Sequence, residues 1–212
     1  VLLPDLGVRA TAPAAPSAVR RHAVRPGLRG LGPAFPRYLA VLVLFTLGNS
    51  TDAFLLLRAQ QLGVAPAAIP LLWSVLHVAK SAWSVPGGML ADRWGARRAV
   101  VAGWAWYAAV YAGFALAGAA WHAWALFAAY GLFFGLTEAP EKALVARLAP
   151  AGMGGRAFGA YHFAIGVAAL PASIVFGLLW EGLGARAAFL AGAGVALLAA
   201  ALLPLALRGS GE

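Results

Sequence analysis

Between Gly88 and Arg98 the chain reads Gly-Met-Leu-Ala-Asp-Arg-Trp-Gly-Ala-Arg-Arg, a short charged stretch bracketed by glycines. An apolar run of about 66–90 precedes it, and another of about 99–120, free of charge, follows it. A helix needs about 20 apolar residues to cross the hydrocarbon core of a bilayer. Two such runs joined by so few residues must be antiparallel neighbours. Gly88 and Gly95 suit close backbone approach and a tight reversal, because glycine has no Cβ to clash. Asp92 stands where it can cap the following helix or meet an arginine. Arg93, Arg97 and Arg98 place the loop on the cytoplasmic side, where basic residues are retained.

Composition removes most other classes. Of 212 residues, 62% are hydrophobic and 11% charged, against about a quarter charged in a soluble domain. An all-α membrane protein is expected. The net charge of +9 would suggest nucleic acid in a soluble chain. Here the basic residues fall in the N-terminal stretch and the loops, where membrane topology accounts for them, so no nucleic-acid partner is expected. There is no cysteine, hence no disulfide framework or thiolate metal site. The four histidines show no zinc-binding spacing, so neither metal nor cofactor is expected.

Residues 1–36 contain six prolines and five of the sixteen basic residues, and are expected to form a disordered, basic cytoplasmic linker. The chain begins with Val1 and is expected to be a piece of something longer. Residues 37–208 hold six membrane-length segments, at about 38–58, 67–91, 98–118, 121–148, 157–180 and 186–207, and 209–212 form a short tail. With the first segment starting inside, thirteen basic residues lie at cytoplasmic ends, and only Arg58 and Arg186 lie at outer ends. That asymmetry puts both termini in the cytoplasm.

A shift of 89 residues superposes Gly88, Leu90, Gly95, Ala96, Arg97 and Ala99 on Gly177, Leu179, Gly184, Ala185, Arg186 and Ala188, and lays Asn49, Asp52 and Arg58 on Glu138, Glu141 and Arg147. Three helices then form the repeating unit, and an odd number of crossings inverts each copy. The stretch 88–98 resembles the signature loop of the major facilitator superfamily, roughly G-x-L-A-D-R-x-G-R-R. Gly88, Leu90, Ala91, Asp92, Arg93, Gly95, Arg97 and Arg98 read onto that pattern, and Ala96 departs from it. The resemblance extends over about 37–208, including the stretches 47–58 and 138–146. It implies six transmembrane helices as an inverted three-plus-three repeat, half of a facilitator fold. The order of linker, six helices and tail implies the C-terminal half, with the N-terminal half of the same transporter as partner. The loop residues Gly88, Asp92, Arg93, Gly95, Arg97 and Arg98 would serve conformational gating.

Charged side chains inside a span are costly and usually face a cavity or a partner. Asn49 and Asp52, three apart, are expected on one face of the first helix. Trp73, His77, Lys80 and Ser84 follow 4-3-4 spacing on the second. Glu138 and Glu141 line the inner half of the fourth, with Glu141 read as a structural contact at the cytoplasmic end. These six polar residues, Asn49, Asp52, His77, Lys80, Glu138 and Glu141, are the candidates for a substrate or ion pathway. Asp52 and Lys80 can form an ion pair. Trp104, Trp106, Tyr107, Trp121 and Trp124 fit interfacial belts. Pro86, Pro140 and Pro171 suggest kinks, and Gly131 with Gly135 suggests close helix packing. No nucleophile, base and orienting group recur at useful spacing, so an enzyme is not expected. The function implied by the resemblance is secondary active transport of a small solute by alternating access, in a bacterial inner membrane surrounded by lipid. A desolvated Asp52 or Glu138 could couple it to protons, with His77 or Lys80 responding. A non-transporting scaffold or receptor on the same bundle is the alternative.

Overall fold

The computed structural model describes residues 30–209, and the expected linker up to residue 29 and the end of the tail lie outside them. The described residues are helical and contain no strand. In chain order they form α1 (Ala34–Gly48), α2 (Ala53–Gln61), α3 (Ile69–Trp94), α4 (Ala96–Leu116), α5 (Ala120–Leu148) and α6 (Gly154–Ala206). The first helix starts slightly before the expected boundary, and Leu31 and Phe35 are already buried in the core. Three stretches are long and apolar enough to cross a membrane: Ala34–Gln61, Ala96–Leu116 and Gly154–Ala206. α3 and α5 have the length but not the apolar composition, because each carries several polar and charged side chains.

α6 is too long for one crossing. Its 53 residues would measure about 80 Å as a straight helix, against a hydrocarbon core of about 30 Å. Gly184, with φ 85° and ψ 163°, breaks it into limbs 154–183 and 185–206. The limbs fold back on each other. The rings of Phe176 and Phe189 lie 5.2 Å apart and those of Trp180 and Phe189 5.8 Å apart, whereas 13 helical residues would span about 20 Å. Gly95, between α3 and α4, has nearly the same conformation, φ 83° and ψ 148°. Only glycine adopts this backbone without strain.

The 89-residue repeat extends to the loops and the packing. Gly63 and Gly152, at the other pair of turns, also have positive φ, 95° and 80°. Gly48 of α1 meets Gly192 and Val195 of the second α6 limb, and a Cβ built on Gly48 would come within 3.0 Å of the Gly192 carbonyl oxygen. The counterparts of Gly48 and Gly192 are Thr137 and Gly103, and these too are in contact, α5 against α4. One close crossing thus occurs twice with the partners exchanged, as a two-fold axis within the membrane plane requires. The copies differ at one step. In the first, residues 49–52 separate α1 from α2; in the second, the corresponding residues around Pro140 stay helical inside α5. Pro86 and Pro171 likewise lie within continuous helical stretches.

α3 packs chiefly on α5, and the approach is as close as the small residues suggested. A Cβ on Gly131 would sit 2.5 Å from that of Ala79, and one on Gly135 would strike the Trp83 carbonyl. The reciprocal residue on α3 is Gly87, whose added Cβ would lie 2.5 Å from the Gly135 backbone. Gly88 has nothing within 4 Å, so the expected close approach within this chain falls one residue earlier. Lipid is as apolar as the helices, so close van der Waals contact and interhelical hydrogen bonds hold such a bundle together. α4 supplies much of the interior. Trp104 stacks on Phe45 at 4.4 Å, and Tyr107 stacks on Tyr111 at 4.1 Å. Trp104 and Tyr107 are wholly buried, which corrects their assignment to an interfacial belt. Trp106 and Trp121 are exposed.

Candidate transport site

The first helix gives way where its sequence turns polar. Gly48-Asn49-Ser50-Thr51-Asp52 follows an apolar run, and α1 ends at Gly48 while α2 resumes at Ala53. Serine, threonine, asparagine and aspartate compete with the helix for backbone hydrogen bonds. Asn49 has φ −101° and ψ 93°, well outside the helical region. Asn49 and Asp52 therefore do not share a helical face, contrary to the spacing argument.

Three tyrosines hold the unwound turn. The Tyr107 hydroxyl lies 3.3 Å from the Gly48 carbonyl and 3.2 Å from Asn49 Oδ1, within reach to donate to either. The Tyr111 hydroxyl is 3.1 Å from Ser50 Oγ, and the Tyr130 hydroxyl donates to Asp52 Oδ1 at 3.2 Å. Tyr107 and Tyr111 sit four apart on α4, so both point one way, and Tyr130 reaches in from α5. An unwound turn in apolar surroundings leaves polar groups that cost free energy unless paired, and the tyrosines supply that pairing. Nothing in the sequence marks them for this role, since an aromatic residue with a hydroxyl suits a headgroup layer as well as a buried clamp.

Beside the turn lies a charged group joining α3 and α5. Lys80 Nζ is 3.0 Å from Glu138 Oε2, with the two side chains 39% and 48% exposed. Lys142 approaches the other Glu138 oxygen at 3.5 Å, and Lys80 lies 4.4 Å above the Phe134 ring. The ion pair of Lys80 is thus with Glu138, where the sequence reading had placed Asp52. His77 is exposed on the same side of α3; its Nδ1 is 3.0 Å from the Trp73 carbonyl, and its ring lies 5.2 Å from that of Trp73.

Glu141 belongs elsewhere. It is 8% exposed and accepts hydrogen bonds from Trp104 Nε1 and the Tyr161 hydroxyl, both at 2.9 Å. It ties α5 to α4 and to the first limb of α6 from inside the bundle, and is a buried interhelical contact, where a peripheral one at the helix end was expected. Of the six candidates, the structure brings Lys80 and Glu138 together, sets Asn49 and Asp52 in one unwound turn, leaves His77 on the open side of α3 and withdraws Glu141 into the core.

The glycine-bracketed stretch forms the last turns of α3, Gly95 and the first turn of α4. Asp92 is exposed, and Gly95 takes the N-cap position of α4 without a side-chain hydrogen bond, so Asp92 does not cap that helix. With Gly88, Gly95 and Arg147 it borders a pocket of about 180 Å³ against α5.

The sequence matches the model of the Major Facilitator Superfamily over residues 31–211. It is 28% identical over 188 residues to an uncharacterized MFS-type transporter of Methanocaldococcus jannaschii, an alignment covering 84% of this chain. The chain spans 46% of that relative's length. Helical content, apolar spans, the glycine-bracketed loop and the family match agree: the chain is an integral membrane protein of the major facilitator superfamily.

Proposed function

We propose that the chain is the C-terminal six-helix half of a secondary active transporter that moves a small solute by alternating access. Six crossings follow if α1 with α2 form one span and the α6 limbs form two. The basic asymmetry then puts both termini and the loop 88–98 in the cytoplasm. The observation that carries this reading is the polar assembly around the unwound turn, with Asn49 and Asp52 beside the Lys80–Glu138 pair. Irregular backbone at membrane depth is tolerated where it is buried in protein or lines a cavity, and broken helices characterise transport sites. Asn49, Asp52, His77, Lys80 and Glu138 line the solute or ion pathway. Asp92, Arg93, Arg97 and Arg98 lie on the gating loop.

Asp52 is the carboxylate best suited to couple a proton. Glu138 is already engaged by two ammonium groups, Lys80 and Lys142. Asp52 accepts from the Tyr130 hydroxyl and forms no ion pair among the described residues, with Lys80 and His77 near enough to act on it electrostatically, so taking up a proton there breaks no ion pair. The test is solute-driven proton movement in proteoliposomes containing the transporter with both halves, screened over small solutes. Asp52→Asn should abolish proton movement while leaving solute binding measurable. Undiminished proton movement in that variant would refute the assignment.

A further inference from the structure

A cavity of about 350 Å³ opens at the end of the bundle where α1 and α4 begin and α5 and α6 end. That size lies within the range of about 300–1,000 Å³ of small-molecule pockets. Arg97 and Arg147 line it, none of its described lining residues is acidic, its apolar wall includes Leu31, Leu144, Leu148 and Leu207, and Arg147 also borders the smaller pocket beside Asp92. A third guanidinium, that of Arg37, lies outside the lining but is tied to it, its Nε donating to the carbonyl of the lining residue Pro33 at 3.0 Å.

The repeat makes Arg147 informative. Its counterpart 89 residues earlier, Arg58, is committed within the protein: Nε donates to the Phe114 carbonyl at 3.1 Å and Nη2 to the Ala117 carbonyl at 2.9 Å. It thereby satisfies the end of α4, where a cation is favoured. Arg147 is exposed and donates no hydrogen bond to another described residue. A guanidinium presents several donors in a planar fork that matches a phosphate. Cations at a bundle end, an apolar wall and the level of the helix ends are the conditions under which a basic pocket takes an acidic lipid headgroup.

We propose that this cavity binds the phosphodiester headgroup of an acidic phospholipid, with Arg147 and Arg37 as its principal contacts. The test is native mass spectrometry of the purified chain in detergent, titrated with phosphatidylglycerol and, separately, with phosphatidylcholine. The wild type should retain phosphatidylglycerol in preference. Arg147→Gln and Arg37→Gln should each weaken that retention about fivefold, and together reduce it to the level of phosphatidylcholine. Arg186→Gln, a control at the opposite end of the bundle, should leave it unchanged. Arg147→Lys, which keeps the charge without the fork, should fall between Arg147→Gln and wild type. Thermal unfolding of each variant checks that the fold survives. Unaltered preference in the double variant would overturn the proposal, as would an equal loss in Arg186→Gln. Displacement of the lipid by an equal concentration of sn-glycerol 3-phosphate would also overturn it, by assigning the cavity to a soluble phosphate.

Discussion

Gly87 and Gly88 are adjacent in α3, and alanine at the two positions should act oppositely on stability. Either change gains helix propensity of about 0.5–1 kcal/mol. That gain cancels when the variants are compared, leaving the packing difference. At Gly88 an added Cβ meets nothing within 4 Å. At Gly87 it lies 2.5 Å from the carbonyl carbon and oxygen of Gly135, where ordinary contact begins at 3.4 Å. The obstacle is backbone, which cannot rotate away as a side chain can, so α3 and α5 must part by nearly an ångström. A radial gap of 0.5–1 Å already forfeits about a quarter to a half of a contact's dispersion energy. Overpacking of this kind costs about 1–3 kcal/mol, and a backbone obstacle puts Gly87→Ala near the upper figure. The assay is equilibrium unfolding in mixed micelles with rising dodecyl sulfate, followed through the chain's eight tryptophans. Gly88→Ala should unfold at or slightly above the wild-type midpoint and Gly87→Ala clearly below it. Coincident midpoints would refute the close approach of α3 to α5.

Single cysteines can be introduced into a background with none of its own. Ala96 is buried, so the inner reporter is better placed at the exposed Trp94; Trp94→Cys should react only from the cytoplasm and Gly63→Cys only from outside, and the reverse would sink the orientation. A double-mutant cycle of Lys80→Met with Glu138→Gln should show coupling of about 0.5–1 kcal/mol, modest because both side chains are half exposed. The cycle pairing Lys80→Met with Asp52→Asn should be closer to additive, and strict additivity in the first would show that the ion pair does not form. Glu141→Ala strands two buried donors, Trp104 Nε1 and the Tyr161 hydroxyl, at about 1–3 kcal/mol each. Glu141→Gln, which keeps an acceptor, should cost less in the same unfolding assay, and equal losses would deny the hydrogen bonds.

The helices, the turns and the repeat were legible in the residues because each rests on a short-range rule. Apolar runs of membrane length, basic residues at their ends and glycine at a left-handed turn are local properties, and a period of 89 residues reads from the chain without knowing what touches what. Gly131 and Gly135 announced a close crossing for the same reason, since small residues matter only where backbones meet. The partners were a different matter. Lys80 has carboxylates at several sequence distances, and only the packing of α3 on α5 chose Glu138 over Asp52. Trp104 and Tyr107 have the composition of a membrane-surface belt. The crossing of α4 between α5 and the second limb of α6 turned them inward, where Trp104 meets Glu141 and Tyr107 meets the unwound turn. That turn was itself hidden. Asn49 through Asp52 weaken a helix without ending it, and the hydroxyls of Tyr107, Tyr111 and Tyr130 tip the balance from elsewhere in the chain. Local chemistry determined where the chain can be helical, and the tertiary fold determined where a helix is better broken, because the groups that pair with the broken backbone belong to other helices.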